Sequence, residues 1–315
     1  MSSIFHYTDA AGLFGIISSE TLYAADYRYL NDSSEGGQIR NYIMPIFETE
    51  IANITKRLVA KGFLKEKYYE ELGTQGNSLE AGKMYGSFVR AVDTVSPFFV
   101  TSFCRHEPNS YEHEHGLLSQ WRGYAESGGF AIEFDEDKLD ALAKKEVTSF
   151  PYAGFKSENV SYFGHENLFE AADYTGVAGE MIRGIFEFLG KDVSEITGRK
   201  NIDEVVLKYA KTAPFLKHSS FHEEEEYRLV FVCFRANKIP EGMERPAKPI
   251  QVRRKGSLLV PFIELFGAED MFAAVNAIIV GPHSFQDKQE EALKMFLESE
   301  GLSVSVRKSE IPYRQ

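Results

Sequence analysis

The sequence predicts an α+β fold: a mixed, largely antiparallel sheet with a helical insertion. Three observations carry this. Apolar runs of strand length recur along the chain, including LVFVCF at 229–234 and VNAIIV at 275–280. Helical periodicity is concentrated unevenly, above all in 35–92. The two patterns do not alternate strictly, which argues against a doubly wound parallel sheet. We read residues 1–315 as a single domain, with 35–92 inserted in it; at 43% hydrophobic and 13% aromatic the chain can fill a core.

Residues 4–8 form a strand, and Asp9 can cap a helix over 10–18 with Leu13, Ile16 and Ile17 inward. Residues 21–24 read as extended. YRYLNDSSE at 27–35 is turn chemistry, with Asn31, Asp32 and Glu35 able to bond the backbone. From 35 to about 72, Ile39, Ile43, Ile46, Phe47, Ile51, Ile54 and Leu58 recur at helical steps. Residues 73–77 interrupt, and a second helix covers 78–92. A strand at 97–104 leads through a His- and Glu-rich loop to a short helix at 117–125. Strand 128–134 is followed by a helix capped at 135–137 and running to 143. Short strands are predicted at 147–151 and 159–163, helices at 166–189 and 202–213. Strands follow at 250–254, 258–262 and 275–280, a helix at 285–299, and a last strand at 302–308. There is no repeat or low-complexity tract.

The net charge of -12 disfavours non-specific binding to nucleic acid, which rests on neutralising phosphates. Arg253, Arg254 and Lys255 make one short basic run. The two cysteines, Cys104 and Cys233, sit in apolar strand-like contexts and are expected to be buried thiols in a reducing cytosol. No zinc spacing, basic leader or membrane-length apolar run is present, so a cytoplasmic protein with no membrane partner is expected.

Glycine patterns for a P-loop or dinucleotide fold are absent, as are the GxSxG elbow and the metalloprotease motif. His106, His113 and His115 alternate with Glu107, Glu112 and Glu114, a pattern that suits solvated charge better than a metal site. The chemistry concentrates elsewhere. FHEEEEYRLVFVCF at 221–234 runs an acidic cluster into a buried strand. On a strand, Glu224, Glu226 and Arg228 share one face, so one carboxylate can pair with Arg228 and leave the other free. His6, held in the first strand, can present a ring nitrogen to a cleft, with Tyr7 and Thr8 beside it. Ser102 offers a hydroxyl from the 97–104 strand. Trp121, Arg122 and Tyr124 share one short helix; Trp121 suits core packing, whereas Arg122 and Tyr124 can read a phosphate or ribose. Tyr27 opens the polar turn.

Several stretches taken in order resemble the domain of unknown function 2971 family: FHYTDAAGLFGII, LNDSSE, FFVTSFC, LLSQWRGYAESGGFAIEF, FHEEEEYRLV, AIIVGP and SEIPYR, running from 5 to 314. Phe221 stands where a Trp is expected ahead of Glu-x-Glu-x-Arg. The family name implies no activity. More loosely, the chain is similar to the ADP-ribosyltransferase superfamily. That resemblance places His6 at the first-strand position, Ser102 at the middle-strand position and Glu226 or Glu224 at the late-strand glutamate. It implies NAD as substrate, with the carboxylate stabilising an oxocarbenium-like ribose. His6 would fix the ribose, an Arg such as Arg228 the pyrophosphate, and Tyr7 or Tyr27 would stack on nicotinamide.

The functional expectation is therefore an NAD-dependent ADP-ribosyltransferase or NAD glycohydrolase, in the setting of a toxin or phage-defence effector. The macromolecular acceptor and the oligomeric state stay open. The alternatives are a non-catalytic ligand-binding or interaction module, with Glu224–Arg228 as a structural ion pair, and a metal-dependent nuclease or nucleotide hydrolase using Asp32, Glu35 and Glu226.

Overall fold

A computed structural model describes residues 2–30, 65–95, 97–125, 128–163, 212–234, 245–267 and 269–312, with Tyr209 and scattered positions between 40 and 62. Strand β1 (Ser3–Thr8) runs into Asp9, whose carboxylate accepts the Gly12 amide at 2.6 Å and starts helix α1 (Ala10–Ser19). Strand β2 (Leu22–Asp26) ends in a 3-10 turn at Tyr27–Tyr29. Helix α2 (Glu66–Val95), broken at Gly73, precedes β3 (Phe98–Arg105). Short helices α3 (Tyr111–His115) and α4 (Leu118–Tyr124) lead to β4 (Phe130–Asp135). Asp135 caps α5 (Glu136–Ser149), followed by β5 (Tyr152–Asn159) and β6 (Ser161–Phe163). Then come β7 (Leu216–His218), a 3-10 segment at Ser219–Glu224 and β8 (Glu226–Cys233). The chain closes with β9 (Gln251–Lys255), β10 (Leu258–Leu265), β11 (Val275–Val280), α6 (Gln286–Ser299) and β12 (Ser305–Lys308).

Ten of the described strands form one sheet in the order β12-β11-β4-β1-β3-β2-β10-β9, with β8 also on β3 and β5 on β8. Its pairings are antiparallel except β11 with β12, and β6 and β7 make a separate parallel pair. The fold is α+β with a mixed, mostly antiparallel sheet, as the sequence predicts.

Strand β3 has three partners, and this is what positions the site. β8 covers one edge of β3 from Phe98 to Cys104. The other edge is shared: β1 pairs at Cys104 and Arg105, and β2 pairs at Phe99 and Val100. Among the described residues Thr101, Ser102 and Phe103 have no strand partner on that edge, so the sheet forks there. Backbone groups freed by a fork need partners, and side chains supply two bridges. His6 Nδ1 donates to the Ser102 carbonyl at 3.0 Å, and Thr101 Oγ1 donates to the Tyr23 carbonyl at 3.2 Å.

Period-two alternation gives the sheet two apolar faces. Ile4, Phe103, Phe134, Leu229 and Phe231 pack with Leu13 and Ile17 of α1, Leu139 of α5, and Leu293 and Leu297 of α6. Phe5, Tyr7, Cys104, Ala131 and Ile279 form a smaller cluster with Trp121 of α4. Both cysteines are free and buried. No described helix is long and apolar enough to cross a membrane.

The structure departs from the sequence reading at several places. The strand predicted at 147–151 is the end of α5, because Glu146 must stay helical to place its carboxylate in the interior. There it meets Lys248 at 2.6 Å, the Tyr152 hydroxyl at 2.8 Å and the Phe266 amide at 3.1 Å. The strand predicted at 159–163 is split at Val160, whose amide turns to the Glu226 carbonyl at 2.8 Å. The His- and Glu-rich loop carries α3. The acidic run is not strand before Glu226: Glu224 ends a 3-10 segment and Glu225 takes a left-handed φ of 39°. Most of the helices predicted over 35–72, 166–189 and 202–213 lie outside the described residues, as do Asn31, Asp32 and Glu35.

Candidate functional site

A cleft of about 620 Å³ opens at the fork. His6 and Thr8 of β1, Gly12 of α1 and Ser102 of β3 line it, together with Lys217, Glu224, Glu226 and Arg228. Tyr23, Tyr29 and Tyr124 add aromatic surface, and Arg253, Arg254 and Lys255 form the wall from the β9–β10 hairpin. Gly12 leaves the helix face bare here: a Cβ at this position would stand 2.0 Å from Thr8 Oγ1. The chain as a whole carries -12, yet the cleft collects five Lys or Arg against Asp9, Glu224 and Glu226. That local excess of positive charge favours an anionic ligand.

Glu226 is the most heavily committed group. Arg228 grips it with two bonds, Nε to Oε1 at 2.7 Å and Nη2 to Oε2 at 2.8 Å. Lys217 Nζ reaches Oε2 at 3.1 Å, and Ser102 adds a hydrogen bond from its hydroxyl. The Glu226 amide donates to the Tyr162 hydroxyl at 2.8 Å, so the β6–β7 pair holds the start of β8 from outside. Both Glu226 and Arg228 are buried, and Arg228 Nη1 also donates to the Pro214 carbonyl at 2.5 Å. Burial alone would raise the Glu226 carboxyl; Arg228, then Lys217 and Ser102, outweigh it and hold the group well below the usual carboxylate range.

Glu224 differs. Its Oε2 accepts from Lys217 at 2.9 Å, and its other oxygen has no protein partner among the described residues. Burial pushes its pKa upward, against the pull of Lys217. Burial would likewise discharge Lys217, but Glu226 and Glu224 keep it protonated. The freer carboxylate at the cleft is thus Glu224, delivered by the 3-10 turn rather than by a shared strand face.

His6 sits in the fork. With Nδ1–H donating to Ser102, the neutral ring presents Nε2 as an acceptor. Burial lowers its pKa, opposed by the Ser102 bond, and nearby Arg253 lowers it further. A neutral imidazole results.

The remaining sequence candidates divide. Thr8, Ser102, Tyr124 and Arg228 line the cleft. Tyr7 lines it too, but its hydroxyl is engaged by His106 Nε2 at 2.8 Å and the Leu117 amide at 2.9 Å, and its ring meets Trp121 edge-on. Trp121 does not line the cleft: it is fully buried, and its indole N–H donates to the His115 carbonyl at 3.0 Å. Arg122 is exposed and outside the cleft lining. Tyr27 is also outside it, stacked on Phe98 at 3.7 Å and bonded to Asp93 at 2.9 Å. Lys217 and Tyr23 escape a sequence reading, because neither stands in a motif and only tertiary pairing brings them in. Among the described residues no group of three His, Cys, Asp or Glu is placed to hold a metal ion.

Fold and site together define an α+β chain whose forked sheet encloses a basic cleft with a carboxylate and a neutral histidine. A family model described as protein of unknown function (DUF2971) matches residues 120–229 and supports the family resemblance carried by the sequence motifs. The matched segment contains Gln120, Tyr124, Lys217, Glu224, Glu226 and Arg228, one wall of the cleft. Comparison with curated proteins and with solved structures gave no match.

Proposed function

We propose that the cleft binds NAD and breaks its nicotinamide–ribose bond, releasing nicotinamide and passing ADP-ribose to water or to a macromolecular acceptor. The observation that carries this reading is the convergence of His6, Ser102, Glu224 and Glu226 on one basic cleft. In the reaction the C1′–N bond breaks and its electron pair leaves with nicotinamide. The acceptor oxygen then bonds to C1′ and surrenders its proton. Glu224 is the base suited to take that proton, since one oxygen is uncommitted and burial raises its affinity for protons. His6 Nε2 accepts a ribose hydroxyl. Glu226, already neutralised by Arg228 and Lys217, is a positioning residue that holds Lys217 and through it Glu224.

A second reading, a non-catalytic ligand-binding or interaction module, is favoured by the saturation of Glu226 with structural partners. Nicotinamide release from NAD, followed by chromatography with water, protein and nucleic acid as acceptors, separates the two. Glu224→Gln is expected to lower the rate by roughly 10²–10⁴-fold, the usual worth of a general base, in a chain whose circular dichroism spectrum still matches wild type. Absence of nicotinamide with every acceptor, or an unchanged rate in the variant, removes the enzymatic reading.

A further inference from the structure

Among the described residues, Arg253 is a cation of the cleft with no carboxylate paired to it. It lies on β9 opposite Val260, with its guanidinium 5.4 Å from the Tyr23 ring centroid and 6.0 Å from that of Phe262. Its Nε is buried with no hydrogen-bond partner. Among the described residues it forms no ion pair or hydrogen bond; Asp9 acts on it only through space. Arg228, in contrast, is paired with Glu226. A guanidinium fixed on two rings and facing a cleft is a rigid planar fork, the shape that takes a phosphate by two parallel bonds. Arg254 and Lys255 flank it on the same wall. In the sheet order β9 is the edge strand, beyond β10 and β2, so this seat lies on a different strand pair from the β3–β8 seam.

We propose that Arg253 is the seat for a phosphate or diphosphate group, so that the cleft takes nucleotides by their phosphates at the β9–β10 hairpin and presents the sugar to His6 and Glu224. The proposal deepens the nucleotide reading and rests on it for the identity of the ligand, but not on turnover. Ligand sources sharing this chemistry are nucleoside diphosphates, ADP-ribose and inorganic pyrophosphate.

Titration calorimetry with ADP-ribose, ADP, pyrophosphate and adenosine tests it on the full chain. Arg253→Met keeps an apolar stem on Tyr23 and Phe262 while removing the charge; Arg253→Lys keeps the charge without the fork. Arg253→Met is expected to weaken every phosphate-bearing ligand that wild type binds by about ten- to a hundredfold, the span of charge-assisted hydrogen bonds, and to leave adenosine unaffected. Arg253→Lys should fall between. Melting temperatures of both variants verify folding. Binding of ADP-ribose by wild type without nicotinamide release supports the phosphate seat and defeats the enzymatic reading. Equal binding of ADP-ribose by Arg253→Met and wild type overturns the seat, even where NAD is cleaved. So does a wild type that binds none of the phosphate-bearing compounds, or an equal loss of adenosine in the variant.

Discussion

Replacing Glu226 by Gln removes one charge from a buried set and leaves the geometry nearly intact. The side chains of Glu226 and Arg228 are 6% and 1% exposed, so neither ion has water to fall back on. Lys217, 3% exposed, loses one of the two carboxylates, Glu224 and Glu226, that it meets in the cleft. Removing one partner of a buried pair typically costs about 3–5 kcal/mol, because the other is left charged and unpaired. At roughly 2.1 cal/mol/K per residue, 315 residues give an unfolding entropy near 0.7 kcal/mol/K, so the melting temperature should fall by about 4–7 °C. The double variant Glu226→Leu/Arg228→Met should recover part of that loss, since the Arg228 charge leaves with its partner and Lys217 keeps Glu224. Acid should narrow the gap between wild type and Glu226→Gln. The folded-state pKa lies below the ordinary 4.5, so the carboxylate's contribution is complete above 4.5 and fades as pH drops through the folded value. Thermal unfolding followed by circular dichroism at pH 7 and at two values below 4.5 measures both effects. A shift under about 2 °C at pH 7 would refute the reasoning, because the carboxylate would then not be committed to the fold.

Two further outcomes follow from packing and burial. Gly129→Ala places a Cβ 2.3 Å from the Thr8 carbonyl oxygen, which is backbone and cannot swing aside; urea unfolding should show a loss of about 1–3 kcal/mol or more, and a neutral result would mean that β1 and the turn before β4 are less tightly apposed. Burial, partly offset by Glu112, lowers the His106 pKa from 6.5 to about 4, so its contribution is complete above 6.5 and lost as pH falls toward 4. Wild type should lose about 2 kcal/mol between pH 7.5 and pH 5 from this group, and His106→Gln should flatten that slope; an unchanged slope sinks the assignment.

Local signals made much of the fold legible. Asp9 announces α1 because an N-cap acts within one turn, and the alternation of Ile4 with Phe5 and Tyr7 is read directly from a period of two. The 147–151 segment misleads because Val147 and Thr148 are β-branched, while the tertiary partners of Glu146 decide for helix. Trp121 suits core packing from the sequence alone, and it is buried; a Cβ at Gly116 or Gly281 would come within 2.5 or 2.9 Å of its ring, and Gly281 is too far along the chain for a local pattern to show it. For the site, the residue types at His6, Ser102 and the Glu-x-Glu-x-Arg run were visible. The roles of the two glutamates were not, because the left-handed Glu225 takes Glu224 off the strand and Lys217 arrives from a separate strand pair. The RRK run at 253–255 is visible as charge alone; that no carboxylate among the described residues pairs with Arg253 emerges only from the pairing of β9 with β10 and the seat of Arg253 on Tyr23.

The imidazole in the fork has one consequence for how the molecule responds to a guest. Its two nitrogens belong to one conjugated ring, so a hydroxyl donated to Nε2 makes the opposite N–H a stronger donor to the Ser102 carbonyl. Occupancy is thereby felt as a tightening between the amino-terminal strand and its neighbour. The amides of Ser102 and Phe103 should exchange with deuterium more slowly when the cavity is filled, a readout that requires no knowledge of what the guest becomes.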